Sequence, residues 1–457
     1  VIYFHTTNED MKIFYWAEHI FAGAFFAVAY YLVFFKTGCD YETYENVAAN
    51  NNKELFRGIH GVSEHYDLVI VGAGLSGSVI AEQASKQSGL RSLVIERRNH
   101  IGGNCFDYID EHGIRVSKYG AHIFHTKSKR VWDYIHQYSE WIPYQHRVKG
   151  LVSNINDTKK IVPVPPNQET VNTLFGTDIR SEEDMENWLS SRRPNLKGQQ
   201  PSNGEEMSLS RVGTDLYEKI FKHYTKKQWD KYPEELDASV LARLPFRLNN
   251  ESRYFSDPYE ALPKHGYTRF FENILLQDPN IDVRLNVDYF QVKDMLPKHK
   301  LLIFTGPIDA FYASQGMEKL EYRSIYFETE YLEPKGGYYQ PSWMVNYPDP
   351  DVNWTRIAEY KHTPNQPENA ISSKGTIIYR EYSTDEGDPY YPVPNPRNQE
   401  LYKKYQKLAL VEENVVFVGR LASYKYFNMD QAILTALELY DTLLRNQTLP
   451  SKEIKDL

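Results

Sequence analysis

Cysteine is almost missing: Cys39 and Cys105 are the only two in 457 residues. Two thiols cannot build a disulfide framework or a zinc site, and their scarcity fits a reducing compartment, so the catalytic part is expected to be cytoplasmic. Net positive charge is missing as well. The formal charge is −9 and no Lys/Arg run interrupts it, which excludes a nucleic-acid surface, because phosphate backbones need a basic footprint. An anionic small molecule must then be met by a local arginine cluster. No internal repeat and no serine or cysteine triad stands out. What abounds is tyrosine, 36 residues against 22 Phe and 7 Trp. Rings that also donate hydrogen bonds suit clefts for sugars and nucleotides.

Residues 66–104 carry the most information. Asp67-Leu68-Val69-Ile70-Val71 reads as a buried parallel strand, and Gly72, Gly74 and Gly77 complete a G-x-G-x-x-G turn into a helical run over 75–87. Gly72 permits the tight turn, Gly74 lets a pyrophosphate approach the backbone, and Gly77 packs the helix on the strand, while the helix N-terminus offers oriented N–H groups. The next strand, Ser92-Leu93-Val94-Ile95, ends in Glu96, where a carboxylate accepts from ribose hydroxyls and selects a free 2′-hydroxyl. A second glycine turn, Gly102-Gly103-Asn104, is common in FAD-dependent folds and absent from simple nicotinamide dehydrogenases. FAD is therefore the expected cofactor.

Length predicts two or three domains, with the cofactor domain assembled from separated segments. Residues 1–65 read as an N-terminal extension. Its stretch 14–35 is apolar except for Glu18 and His19, close to the roughly twenty residues a bilayer crossing needs, so a signal-anchor helix and a packed or interfacial helix both remain open. Residues 66–165 form the first part of the FAD-binding domain, and the proline-rich run 161–166 marks a crossing into another domain. A helical substrate domain follows over 166–250, with a helix start at Ser181-Glu182-Glu183-Asp184 and another helix over 215–225. Residues 251–400 read as a sheet domain with a returning FAD-domain segment, its strand-like runs at 283–287, 301–304, 322–327 and 376–382 forming a layer over the active site. Residues 401–446 hold the last FAD-domain part, where Val415-Val416-Phe417-Val418 and Gly419-Arg420 lead to a helix over 429–444. A polar tail, 447–457, ends the chain. The fold class is α/β: a discontinuous Rossmann-like domain, a small helical domain and an antiparallel sheet domain.

His122 and His125 stand three residues apart after Tyr119-Gly120-Ala121. No carboxylate or cysteine cluster accompanies them, so a metal site is not expected; the turn is read as lying against the flavin, with one imidazole donating to it.

The chain resembles the UDP-galactopyranose mutase family over about residues 66–440. The resemblance rests on Glu96-Arg97-Arg98-Asn99-His100-Ile101-Gly102-Gly103-Asn104, Lys118-Tyr119-Gly120-Ala121-His122-Ile123-Phe124-His125-Thr126, Tyr224-Thr225-Lys226-Lys227-Gln228-Trp229, Tyr254-Phe255-Ser256-Asp257 and Gly419-Arg420-Leu421-Ala422. It implies a redox-neutral isomerase that interconverts UDP-galactopyranose and UDP-galactofuranose, with N5 of reduced FAD as covalent catalyst at the sugar's anomeric carbon. A buried diphosphate needs paired guanidiniums. The resemblance assigns that role to Arg243 and Arg356, with Arg247 either a second contact or a helix-end charge. It places Tyr391 and Tyr426 on the diphosphate, and Tyr224, Trp229, Tyr254, Phe255 and Asn346 on the nucleoside. It adds His125 as a group tuning the flavin, and Arg97, His122, Arg420, Asn428 and Met429 to the cofactor side. Asn428 departs from the aspartate frequent in the family, which bears on cofactor affinity or redox poise. The resemblance leaves a homodimer open. Two rivals share the scaffold: amine-oxidase-like flavin oxidoreductases, which should lack facing arginines, and GDP-dissociation inhibitors, which bind without flavin.

Overall fold

A computed structural model describes residues 62–194, 200–242 and 245–444. The predicted span at 14–35, the tail 447–457 and Arg243 lie outside the described residues. Among the described residues no helix is long and apolar enough to cross a membrane.

The glycine-rich unit sits in a five-stranded, all-parallel sheet ordered Ile281–Arg284, Ser92–Ile95, His65–Val71, Lys298–Phe304, Val415–Phe417. Its central strands are apolar without alternation because both faces are covered: all four residues of Ser92–Ile95 are buried. The chain leaves His65–Val71 towards one side first and reaches the other side only with Lys298–Phe304. A crevice therefore opens at the carboxyl end of His65–Val71, where α/β sheets bind their ligands. Two of the expected strand runs, at 283–287 and 301–304, thus belong to this sheet and not to the layer over the site. Their buried partners Val94 and Ile70 lie far from them in sequence, which periodicity does not show.

A seven-stranded sheet is ordered Tyr391–Pro392, Tyr322–Leu332, Thr376–Thr384, Arg356–Glu359, Met344–Asn346, Val148–Ser153, Lys159–Val164. It is antiparallel except where Met344–Asn346 runs parallel to Val148–Ser153, so the sheet is mixed. The long excursion between those two strands supplies the crossover that a parallel pair requires. Pro163 lies in the edge strand Lys159–Val164, where a missing N–H is tolerated.

The helical part packs around Val171, Leu174, Met185, Leu189, Val212 and Leu216. Ser181 caps Glu182–Ser190, its Oγ accepting from Asp184 N while Asp184 Oδ2 accepts from Ser181 N, the reciprocal box its sequence predicts. The helix expected over 215–225 is instead the continuation of Gly204–Leu216 through the wider turn Tyr217–Phe221 into Lys222–Trp229. Gly213, at φ 74°, kinks the first piece, and a Cβ there would lie 2.8 Å from Arg192 Cβ.

Candidate active site

The cofactor cradle is built by backbones that approach each other. Gly72 has φ 107°, and a Cβ on Gly77 would stand 2.0 Å from the Gly72 carbonyl oxygen. The two glycine turns meet: a Cβ on Gly103 would be 3.0 Å from Gly74 Cα, and Gly102 N donates to Ala73 O at 2.8 Å. Gly74 caps Leu75–Ser88 without a side-chain hydrogen bond, and the first turn carries no acid, so no side chain competes there for the place a phosphate would take. Glu96 is fixed, its two oxygens accepting from Ala73 N at 3.0 Å and Arg98 N at 2.9 Å. From the far end of the chain, Gly419, at φ 97°, would bring a Cβ to 3.0 Å from Ser76 Oγ. Asn428 caps Met429–Leu439 and donates its N–H to Gln431 Oε1 at 2.9 Å; Asn and Asp are about equal as caps. Met429 Sδ lies 3.6 Å from Cys105 Sγ, beside the second glycine turn. Close-approach glycines, an open helix N-terminus and a ribose carboxylate fit an FAD.

Arg97 and Arg98 both pair with Asp388, at 2.7 and 3.0 Å, and Arg98 also donates to Asn104 Oδ1 at 3.0 Å and lies over the Tyr119 ring. The Glu96–Asn104 segment is thereby tied to the loop that leads to Tyr391. His122 Nδ1 is 2.8 Å from Gly120 O. Burial pushes the imidazole down to about 4, with Arg420 and Arg356 adding to the effect, so the ring is neutral: Nδ1–H donates and Nε2 is an acceptor. His125 turns to protein partners, Nδ1 at 2.5 Å from Asp257 Oδ2 and the ring stacked on Phe255.

A pocket is lined by the expected nucleoside-side residues Tyr224 and Trp229, with Gln228, from Lys222–Trp229, by Arg356 and Glu381 from the sheet, and by Tyr391. Arg356 opens its strand beside Asn346 and opposite Glu381, and its Nε donates to Glu381 Oε2 at 2.6 Å. Burial alone would weaken the arginine's charge, but Glu381, joined by Tyr224 and Tyr391, more than offsets this and its pKa is raised. Tyr391 and Tyr426 stack, centroids 5.1 Å apart, with Trp229 at 6.3 Å from Tyr426 and the Arg420 guanidinium over Tyr391. Tyr254 packs edge-on against Phe255. Arg247 is turned to the carbonyls of Phe246, Arg253 and Tyr254, each at 3.4 Å, the arrangement of a loop staple.

Three charged neighbours were given no role by the sequence reading. Glu381 is 2 % exposed, and a carboxylate at the inward position of Thr376–Thr384, in step with Ile377 and Tyr379, was its signal. Arg323 lines the pocket, faces Tyr391 across the strand pair and donates Nε to Ser383 Oγ at 3.2 Å. Lys227 holds the loop before Arg356. Among the described residues no group of three or more His, Cys, Asp or Glu gathers as a metal site.

The family model described as UDP-galactopyranose mutase matches residues 219–426, and an NAD(P)-binding Rossmann-like model matches residues 70–138. A Klebsiella pneumoniae protein named "Probable UDP-galactopyranose mutase" is 39% identical over 383 residues, 83% of this chain and 94% of that protein. The dTDP-fucopyranose mutase of Escherichia coli is 36% identical over 388 residues, 83% of this chain and 98% of that protein. A crystal structure of reduced UDP-galactopyranose mutase superposes with TM-score 0.66 at 16% identity, covering 86% of this chain and 97% of that one, a likeness of fold.

Proposed function

Because this chain belongs to the UDP-galactopyranose mutase family, we propose that its pocket holds a nucleoside-diphosphate sugar against a flavin and interconverts UDP-galactopyranose and UDP-galactofuranose. The observation that carries this reading is Arg356, half-buried between nucleoside-side aromatics and Tyr391 and paired with Glu381.

The flavin would lie on Gly72, Gly74, Gly77, Glu96 and the Gly102-Gly103 turn, and the chemistry it supplies when reduced is nucleophilicity toward the anomeric carbon. This chain's residues do the rest. Arg356 presents a permanent positive charge to the diphosphate, so the leaving group is matched as the glycosidic bond weakens and matched again when UDP returns. Arg243, fourteen positions after Trp229, is proposed as the second guanidinium. Tyr391 and Tyr426 offer hydroxyls beside the same phosphates, and the stacked pair walls that side from water. Tyr224 and Trp229 hold the nucleoside, fixing how far the sugar reaches. His122 adds no charge near the reacting sugar, and its Nε2 acceptor can hold a hydroxyl hydrogen.

The test is conversion of UDP-galactofuranose, read by chromatography, with dithionite and separately in air. Product only under dithionite is expected; no product in either state removes the proposal. A parallel incubation with dTDP-fucofuranose separates the two activities named among the relatives. Arg243→Ala should remove most turnover while flavin absorbance persists, and unchanged turnover would mean that the second guanidinium lies elsewhere.

A further inference from the structure

Lys227 lies between Tyr224 and Trp229 on the helix Lys222–Trp229. Its ammonium donates to four backbone carbonyls of one loop: Tyr347, Asp349 at 2.9 Å, Val352 at 3.3 Å and Trp354 at 3.1 Å. That loop joins Met344–Asn346 to Arg356–Glu359, so it begins after Asn346 and ends at Arg356. Thr355 closes it, accepting from Tyr347 N at 2.9 Å and donating its own N–H to Glu381 O at 2.8 Å.

Four carbonyl dipoles aimed at one point repel one another unless a cation sits there, the arrangement by which carbonyl rings hold potassium. An ammonium has only three N–H bonds to share among four acceptors, so the ring is matched to a charge more than to hydrogen-bond directions. Burial pushes Lys227 down to about 8, with Asp351 and Asp349 opposing the shift and Lys159 adding to it. Lys159 is bridged to both aspartates at 2.5 and 2.8 Å and is held above its usual value, while Asp349 is held below its own. Lys159 and Asp349 thus keep their charge through the window in which Lys227 titrates.

We infer that Lys227 is a positioning residue that serves as a built-in cation: by filling the carbonyl ring it locks the loop that presents Asn346 and Arg356 to the helix that presents Tyr224 and Trp229, and so sets the span for the nucleoside diphosphate. The inference rests on the reading of the pocket as a nucleoside-diphosphate site. It touches neither the flavin cradle nor the reacting sugar, so nucleotide affinity should change far more than flavin retention.

UDP and dTDP are titrated by calorimetry into flavin-loaded wild type, Lys227→Met and Lys227→Ala at pH 7.5. Both variants should keep flavin absorbance and lose about tenfold or more in affinity, as expected for deleting charge-assisted hydrogen bonds. Ammonium or potassium chloride should restore most of the loss in Lys227→Ala, and tetramethylammonium chloride, equal in charge but too large for the ring, should not. In turnover the loss should appear in KM more than in kcat. Wild-type affinity in a folded variant, or a loss that no small cation repairs, overturns the inference. Should neither variant fold, the wild-type pH series decides: affinity should fall as pH rises through about 8, and a flat profile overturns the inference. Wild type that binds neither nucleotide defeats the pocket reading itself, a different result from normal binding that ignores Lys227.

Discussion

Arg356→Ala should lower kcat/KM by roughly a thousandfold, about 4 kcal/mol, while the protein still carries its flavin. Two losses combine. The diphosphate loses a half-buried, permanently charged partner, and Glu381 loses the guanidinium that justifies its burial. Glu381 Oε1 has no hydrogen-bonding partner among the described residues, and Oε2 depends on Arg356 Nε at 2.6 Å. A carboxylate left so takes up a proton or draws in water. Part of the damage is therefore structural, and a second substitution separates it. Arg356→Ala with Glu381→Gln should regain melting temperature over Arg356→Ala alone, because no charge is stranded, yet regain no turnover. Glu381→Gln alone keeps an acceptor for Nε but removes the ion pair, so it should cost less than Arg356→Ala. Steady-state kinetics with the flavin spectrum and thermal melting read all three. A single Arg356→Ala variant within about tenfold of wild type would show that the diphosphate is carried by other groups.

How far the sequence reaches depends on whether a residue's job is local. Gly72 and Gly77 are readable because positive φ at the first and close backbone contact at the second demand glycine whatever the rest of the chain does. Ser181 announces its helix for the same reason. The arginines are harder: an anionic ligand in an acidic protein calls for guanidiniums, but choosing Arg356 needed the family's motifs, and Arg247, equally plausible by spacing, is turned to backbone carbonyls. His125 is expected to tune the flavin, and what the sequence does not show is the carboxylate that holds its Nδ1, Asp257, 132 positions away, a pairing no window reveals. Arg323 reaches the pocket because its strand pairs with the one holding Tyr391, and register between distant strands leaves no local trace. Lys227 is the extreme case. Its partners are carbonyls, which every residue owns, so no pattern of side chains records them.

The glycines of the cradle differ in what each must avoid, and the difference predicts two separate phenotypes. A methyl on Gly77 would stand 2.0 Å from the Gly72 carbonyl oxygen and 3.1 Å from Ile70 Cγ2. Neither is the end of a flexible side chain, so the helix Leu75–Ser88 must move off His65–Val71, at about 3 kcal/mol by analogy with overpacked cores. Gly74 has φ −85°, a value any residue adopts, and a methyl there meets only Gly103 Cα at an unstrained 3.8 Å. It fills the gap between the two glycine turns, which a pyrophosphate needs. Gly77→Ala should therefore lower the melting temperature of the apoprotein by several degrees and flavin retention with it. Gly74→Ala should leave the apoprotein melting unchanged and still come off the column with little flavin. Thermal melts of apoprotein beside the flavin-to-protein absorbance ratio give both answers. Full flavin occupancy in Gly74→Ala would mean that the cofactor's phosphates do not pass between these turns, whatever the fate of Gly77→Ala.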